Sequence, residues 1–212
     1  MKRVLVATSN PGKIRDLIGA AAAHNVQITM LPRFSSLPSV VEDGQTFEAN
    51  ARKKAEYYSK HAEGEIVIAD DSGLQVDALG GAPGVRSARF AADEHNPNED
   101  SGNSDDEANN ARLVRELHDV PDEFRAGRFV CVIAAARNGH TLATFHGTAE
   151  GMILRAARGS NGFGYDPLFY FPQIGKTFAE LSAEEKANHS HRGAAFRAFL
   201  QWEDEAGERH PH

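Results

Sequence analysis

The feature that most constrains the fold is an apolar run that ends in two adjacent acids. Residues 65–69 read Glu-Ile-Val-Ile-Ala and are followed by Asp70, Asp71, Ser72 and Gly73. Such a run is typical of a buried strand, and in an open α/β sheet ligands bind beyond the carboxyl ends of strands. Adjacent carboxylates there need a positive partner, and Mg²⁺ prefers such oxygen ligands. The segment also suits a plain turn, so it leaves both interpretations open.

Composition bounds the kind of protein. The 212 residues, 41% of them hydrophobic, suit one large domain, or one domain with a lobe, over 1–212, and we expect a frayed tail at 206–212. The single cysteine, Cys131, excludes an intrachain disulfide and a multi-cysteine metal site. A net charge of -7 disfavours binding to a nucleic acid polymer. No apolar run approaches the roughly 20 residues of a membrane span. We therefore expect a cytoplasmic protein without nucleic acid or membrane partners.

The order of the predicted elements indicates an α/β fold with a long antiparallel hairpin. Predicted strands cover residues 4–8, 26–31, 66–69, 128–136 and 141–150. Predicted helices cover residues 11–24, 46–61, 105–118, a short segment that begins at a capping box at 182, and 193–205. Asn138-Gly139 between the last two strands is a strong hairpin signal. Seven acids in residues 92–110 indicate a solvated surface loop.

Two early segments offer groups that could bind phosphate and metal. Residues 8–13 follow a strand and open a helix, where backbone amides, hydroxyls and a lysine can form an anion site. An ordinary capped helix is the alternative. In residues 42–50, Glu42 stands beside a glycine turn and a helix start, and Lys54 follows one to two turns later. Glu42 can act as a carboxylate ligand and Lys54 can face a phosphate, unless this is only a solvated helix start.

Two late segments offer groups that could bind a base. Residues 159–167 form a glycine-rich loop in which Phe163 can stack on a planar base, or else pack into the core of a tight turn. Lys186, His191 and Arg192 lie in a predicted cation-rich loop before the last helix and can donate to a purine. His189 with His191 as a metal pair is a weaker idea. Together the four segments supply what a nucleoside triphosphate requires.

At these residues the chain closely resembles the inosine triphosphate pyrophosphatase family, from about Lys2 to about Phe199. The matching segments, in the family's order, are T-S-N-P-G-K at Thr8, E-D-G-Q-T-F-E-A-N at Glu42, A-D-D-S-G-L at Ala69, G-G-A-P-G-V-R-S-A-R-F at Gly80, G-F-G-Y-D-P at Gly162, K-T-F-A-E-L at Lys176 and S-H-R-G at Ser190. Seven ordered matches over nearly the whole chain are hard to ascribe to chance.

The resemblance implies a central mixed sheet with two lobes around a cleft, and a homodimer. It implies Mg²⁺-dependent hydrolysis of ITP, dITP and XTP to the monophosphate and pyrophosphate, which cleanses the nucleotide pool. Asp71 aligns with the general base and metal-associated acid, Glu42 with the other metal carboxylate, and Ser72 with a substrate contact. The triphosphate cradle aligns with Thr8, Ser9, Asn10, Pro11, Gly12 and Lys13. The base pocket aligns with Phe163, Gly164, Tyr165, Asp166, Lys186, His191 and Arg192.

The sequence also bears on three other functions. A Maf-type pyrophosphatase with a different base preference is disfavoured by the G-F-G-Y-D and S-H-R-G segments. A nucleotide sensor without hydrolysis is disfavoured because Glu42, Asp70 and Asp71 are all present. An acidic interaction module would use residues 93–107, where the chain departs from the family by a longer connection after Phe90.

Overall fold

The protein is an α/β structure with one open, mixed sheet. The computed structural model describes residues 2–94, 103 and 105–208. Its strands are β1 (Lys2–Val6), β2 (Val26–Met30), β3 (Val67–Val76), β4 (Ala126–Arg137), β5 (His140–Ile153), β6 (Phe169–Phe171) and β7 (Lys176–Thr177). The strand order in the sheet is β2-β1-β3-β4-β5-β6-β7. β1 pairs in parallel with β2 and β3, whereas β6 pairs antiparallel with β5 and β7. The predicted mixed α/β fold is confirmed.

Helix starts follow the predicted capping chemistry. The α-helices are α1 (Pro11–Ala21), α2 (Phe47–Ser59), α3 (Asp106–Glu116), α4 (Ala183–His189) and α5 (His191–Glu208). Asn10 caps α1 and Thr46 caps α2 through side-chain oxygens that accept from backbone amides of the first turn. Ser182 and Glu185 form a reciprocal capping box at α4, with distances of 3.1 and 2.8 Å.

The predicted hairpin is β4–β5. Asn138 and Gly139 connect the two strands, with φ values of 51° and 84°. Positive φ at both central residues is what a two-residue type I′ turn requires, and its twist matches that of the flanking strands. The Asn-Gly pair therefore determines the register of the longest hairpin in the described structure.

The chain divides into two compact units. The first comprises Met1–Asp71, Cys131–Thr148 and Lys186–His212, and the second comprises Ser72–Val130 and Ala149–Glu185. In the first unit α1 and α5 pack on β1, β3 and β4 around a core that includes Leu17, Ile133 and Phe196. The core of the second unit includes Leu74 and an aromatic group that contains Phe129, Phe169 and Phe178. The predicted cleft stays a prediction.

Several predicted boundaries need correction. The strand predicted to end at Ala69 continues to Val76, because Leu74 and Val76 extend its alternating pattern and are completely buried. Helix α1 ends at Ala21 rather than near residue 24, and α5 extends to Glu208. Residues 209–212 of the predicted tail, and residues 95–102 and 104 of the acidic loop, lie outside the described residues. Among the described helices, none combines the length and hydropathy that a membrane span requires.

Candidate active site

The two adjacent acids lie within β3 and not at its end. Asp70 and Asp71 are about 5% and 6% exposed, respectively. Successive side chains of a strand point to opposite faces of the sheet, so the two carboxylates diverge and gain different partners. β1 pairs with β3 at Val67 and Ile68, so the two acids follow this paired stretch after one intervening residue, Ala69. One strand thus supplies one acid to each face of the first unit.

Asp70 is neutralised by basic side chains. Its Oδ2 atom lies 3.1 Å from Lys13 Nζ and accepts from Arg192 Nε and Nη2 at 3.3 Å each. Burial by itself would raise the pKa of Asp70, but Lys13, Arg192 and Lys54 hold it well below its usual value. Asp70 therefore stays ionised and acts as an anchor for two cations.

Asp71 contacts helix α2 on the other face. Asn50 Nδ2 donates to Asp71 Oδ2 at 3.0 Å, and Lys54 Nζ lies 3.4 Å from Oδ1. The same Lys54 Nζ lies 2.7 Å from Glu42, so one ammonium joins both carboxylates predicted to hold a metal. Burial raises the pKa of Asp71; Lys54 and Lys13 oppose this rise and the Glu42 carboxylate adds to it. An acid that holds its proton more tightly than usual is suited to accept one from water.

Glu42 responds to the same neighbours in the opposite direction. Burial works to raise the pKa of Glu42, but Lys54 and Lys13 keep it below its usual value. Asn50 supports both acids: its Nδ2 donates directly to Asp71, and its Oδ1 accepts from the Gly44 amide at 2.8 Å and so fixes the turn after Glu42. The predicted residues Glu42, Lys54 and Asp71 are therefore brought together in the first unit.

In the predicted phosphate cradle, two backbone amides are already bonded to the side chain of the helix cap, Asn10. Asn10 Oδ1 accepts from the amides of Gly12 and Lys13 at 2.9 and 3.1 Å, and Thr8 Oγ1 accepts from the Asn10 amide at 3.2 Å. Ser9, Asn10 and Pro11 are exposed. A phosphate at this helix start would have to share or replace the Asn10 contacts. The cradle stays a prediction, with exposed groups available but two amides already bonded.

Lys186, His191 and Arg192 do not lie in a loop, which corrects the prediction. Lys186 belongs to α4, and His191 and Arg192 are the first residues of α5. Lys186 Nζ lies 3.2 Å from Asp16 Oδ1, and Arg192 Nη1 donates to Asp16 Oδ2 at 2.6 Å. Burial, with Arg192 and Lys186 nearby, holds the pKa of His191 well below its usual value. The charges of the buried Lys186 and Arg192 are therefore both balanced by Asp16 of α1.

The glycine-rich loop lies in the second unit and separates its two aromatic residues. Phe163 is half-buried, whereas Tyr165 is only 4% exposed and belongs to the core. Tyr165 Oη donates to the Ser87 carbonyl at 2.7 Å, and Asp166 Oδ2 accepts from the Phe163 amide at 2.9 Å. Of the two rings, Phe163 is the one accessible for stacking. The predicted Ser72 contact is half-buried on β3.

Three residues of these networks were not selected from the sequence. Asn50 and Asp16 are absent from the predicted site, and Asp70 is predicted as one of two adjacent acids but has no assigned role. A polar residue at a helix position otherwise occupied by apolar ones was a signal for Asn50, which is 1% exposed. An acid one helical turn after Lys13 was the weaker signal for Asp16.

Fold and site together define a two-unit α/β protein whose buried acids and cations suit phosphate chemistry. The chain belongs to the Ham1 family, whose profile matches residues 4–202. A dITP/XTP pyrophosphatase of Acidobacterium capsulatum is 50% identical over 196 residues, which cover 92% of this chain and 95% of the relative. A dITP/XTP pyrophosphatase of Thermus thermophilus is 46% identical over 200 residues, covering 94% and 90%.

Solved structures give the same relationship at the level of the fold. A HAM1 protein from Coxiella burnetii superposes with a TM-score of 0.80 at 36% identity, covering 97% of this chain and 100% of that one. The Ham1 protein of Staphylococcus aureus gives a TM-score of 0.75 at 40% identity, covering 95% and 100%. The predicted family resemblance is confirmed.

Proposed function

We propose that this protein is a nucleoside triphosphate pyrophosphatase that hydrolyses dITP, XTP and ITP to the monophosphate and pyrophosphate, and so cleanses the nucleotide pool. Relatives at 45–50% identity over nearly the whole chain carry the name dITP/XTP pyrophosphatase. The observation that carries the proposal is the arrangement of Glu42, Lys54 and Asp71, in which two carboxylates of unequal basicity flank one ammonium.

We assign Asp71 as the general base that accepts a proton from the attacking water. Its raised pKa favours acceptance of a proton, and Asn50 Nδ2 fixes the orientation of its carboxylate. A general base positioned in this way contributes about 10²- to 10⁴-fold to a rate. Lys13 and Lys54 place positive charge next to the acids, where charge develops on the phosphate oxygens during transfer.

The donor set of the first unit suits Mg²⁺. Glu42 and Asp71 are hard oxygen donors, and both lie next to the Lys54 ammonium. Without a cation between them, the two carboxylates would repel each other. Mg²⁺ is usually held by one or two carboxylates together with waters and substrate phosphates, and among the described residues no cluster of three or more acidic, histidine or cysteine side chains offers a fuller cage. We assign Glu42 and Asp71 as its protein ligands. When bound, the ion would neutralise charge on the phosphate oxygens.

Product analysis tests the reaction. Incubation of the protein with ITP and Mg²⁺ should yield IMP and pyrophosphate in one step, without IDP. Chromatography that finds IDP and inorganic phosphate would contradict attack at the α-phosphorus. A panel of ITP, XTP, dITP, GTP, ATP and pyrimidine triphosphates separates this function from a Maf-type preference, and saturable binding without turnover would instead indicate a sensor.

We further propose a homodimer that works in the cytoplasm, with nucleoside triphosphates and not nucleic acid polymers or membranes as its partners. The dimer follows from the family resemblance, and the compartment follows from a role in the nucleotide pool. Analytical ultracentrifugation over a range of concentrations tests the dimer, because a single species of 23.0 kDa would contradict it.

A further inference from the structure

Two side chains of helix α3 hold the backbone of one residue in the glycine-rich loop. Asp106 Oδ2 accepts from the Gly164 amide at 2.6 Å, and Asn110 Nδ2 donates to the Gly164 carbonyl at 2.9 Å. Asp106 and Asn110 are four residues apart, so they lie on one face of the helix. Both polar groups of Gly164 are therefore bonded to the same helix turn.

This contact is separate from the start of the helix itself. Asp105 is the N-cap of α3, and its side chain accepts from the Ala108 amide at 2.6 Å. The carboxylate of Asp106 is consequently free of the capping role and directed to the loop. Glu107 is the other acid of the first turn and is exposed.

Fixing Gly164 fixes the residues on either side of it. Gly164 has a φ of 60°, a conformation that L side chains rarely adopt. Its amide follows directly after Phe163, whose own amide donates to Asp166, and its carbonyl precedes Tyr165, whose hydroxyl donates to Ser87. The peptides on both sides of Gly164 are therefore held in place. This fixes the backbone from which the half-buried Phe163 ring projects.

We propose that Asp106 and Asn110 are positioning residues for base recognition, which act by holding Gly164 so that Phe163 presents its ring to the purine. This inference rests on the proposed function, in which the loop contacts the base. The two residues set the specificity of the loop through its backbone and do not touch the base. A loop without them would sample other conformations and bind a base more weakly, while binding to phosphate groups would be unchanged.

Four variants test the proposal. Asp106→Ala removes the acceptor, and Asn110→Asp keeps the shape but turns a carboxylate oxygen toward the Gly164 carbonyl. Asp106→Asn keeps an acceptor oxygen for the Gly164 amide and should therefore keep the IMP affinity that Asp106→Ala loses. Glu107→Ala is the matched control, because it removes the same charge from the same helix turn and therefore shares any loss of helix stability.

Calorimetry with two probes separates positioning from general damage. IMP carries the base, whereas inorganic tripolyphosphate carries only phosphates. We expect Asp106→Ala and Asn110→Asp to weaken IMP binding about tenfold, which corresponds to the free energy of one hydrogen bond. Asp106→Ala loses a bond to a charged acceptor, and Asn110→Asp replaces a donor by an oxygen that repels the Gly164 carbonyl. Tripolyphosphate affinity should stay within about twofold in every variant. Asp106→Asn and Glu107→Ala should bind IMP as the unmodified protein does.

Two results would overturn the positioning role. One is unchanged IMP affinity in both Asp106→Ala and Asn110→Asp. The other is a parallel loss of affinity for IMP and tripolyphosphate, which would indicate structural damage. A failure of the proposed function would look different, because the unmodified protein would then not hydrolyse ITP. The IMP affinities of the variants would still decide the role of Asp106 and Asn110.

Discussion

Arg192 donates from both Nε and Nη2 to a single atom, Oδ2 of Asp70, at 3.3 Å. Its remaining terminal nitrogen, Nη1, donates to Asp16 at 2.6 Å, and the residue is 1% exposed. A guanidinium has donors in a fixed planar fork, and here that fork joins two acids. The geometry of the described residues therefore favours an anchoring role for Arg192 over the base-reading role suggested by the resemblance.

Replacement of Arg192 distinguishes these two roles. Arg192→Ala leaves the buried Asp70 and Asp16 without a strong partner, and loss of one member of a buried ion pair costs about 3–5 kcal/mol. We expect a loss of stability of that order and a similar fall in kcat/KM for ITP and ATP. Urea unfolding and paired kinetics measure both quantities. A stable variant whose ITP-over-ATP ratio collapses would show that Arg192 reads the base.

Replacement of Asp71 tests the assignment of the general base. Asp71→Asn is nearly isosteric and removes one charge from a crowded acidic pair, so we expect the fold to be retained. Turnover of ITP should fall by about 10²- to 10⁴-fold, because the amide cannot accept the proton of water. Asp43→Asn is the control, since Asp43 is an exposed acid paired with Lys53 next to the site. Near-normal turnover in folded Asp71→Asn would refute the assignment.

Lys54 gives a prediction about metal and stability together. Its side chain is 10% exposed and contacts Glu42 and Asp71, whereas the neighbouring Lys53 is 43% exposed and pairs with Asp43. Lys54→Met should lose about 2–3 kcal/mol, below the value for a fully buried pair because Glu42 is 42% exposed. Lys53→Met should lose less than about 1 kcal/mol.

Added Mg²⁺ supplies the second half of that experiment. In Lys54→Met the two carboxylates keep their mutual repulsion but lose the ammonium, so a divalent cation gains more by binding there. We expect Mg²⁺ to raise the Tm of Lys54→Met more than that of the unmodified protein. Equal Tm shifts in Lys54→Met, Lys53→Met and the unmodified protein would contradict the assignment of Glu42 and Asp71 as metal ligands.

Local signals in the sequence predicted the parts of the fold that short-range chemistry determines. Asn10, Thr46 and Ser182 marked helix starts, and Asn138-Gly139 marked the hairpin, because caps and type I′ turns depend on residues only a few positions apart. The end of β3 was predicted wrongly for the same reason. Asp-Asp-Ser-Gly favours a turn locally, but burial of Leu74 and Val76 in the second unit keeps the strand extended.

The site was predictable as a set of residues but not as a set of contacts. Glu42, Lys54 and Asp71 were selected and do lie together. The sequence could not show that Arg192 anchors to Asp16, since 176 residues separate them. Buried charge on a helix is stable only with such partners, which is why the start of α5 was mistaken for a loop.

His191 gives a prediction for the dependence of stability on pH. Burial, together with the nearby Arg192 and Lys186, keeps the pKa of its imidazole well below the usual value of about 6.5. Below pH 6.5 the unfolded chain therefore binds a proton at this residue that the folded chain does not, so stability falls as the pH falls. The slope of the free energy of unfolding approaches about 1.4 kcal/mol per pH unit until the folded pKa is reached.

Urea unfolding between pH 7.5 and 5.5 should show a shallower decline of the free energy of unfolding in His191→Asn than in the unmodified protein. His140→Asn, which changes an exposed histidine of the same unit, should leave the decline unchanged. The same decline in His191→Asn as in the unmodified protein would mean that His191 is not held neutral by its surroundings.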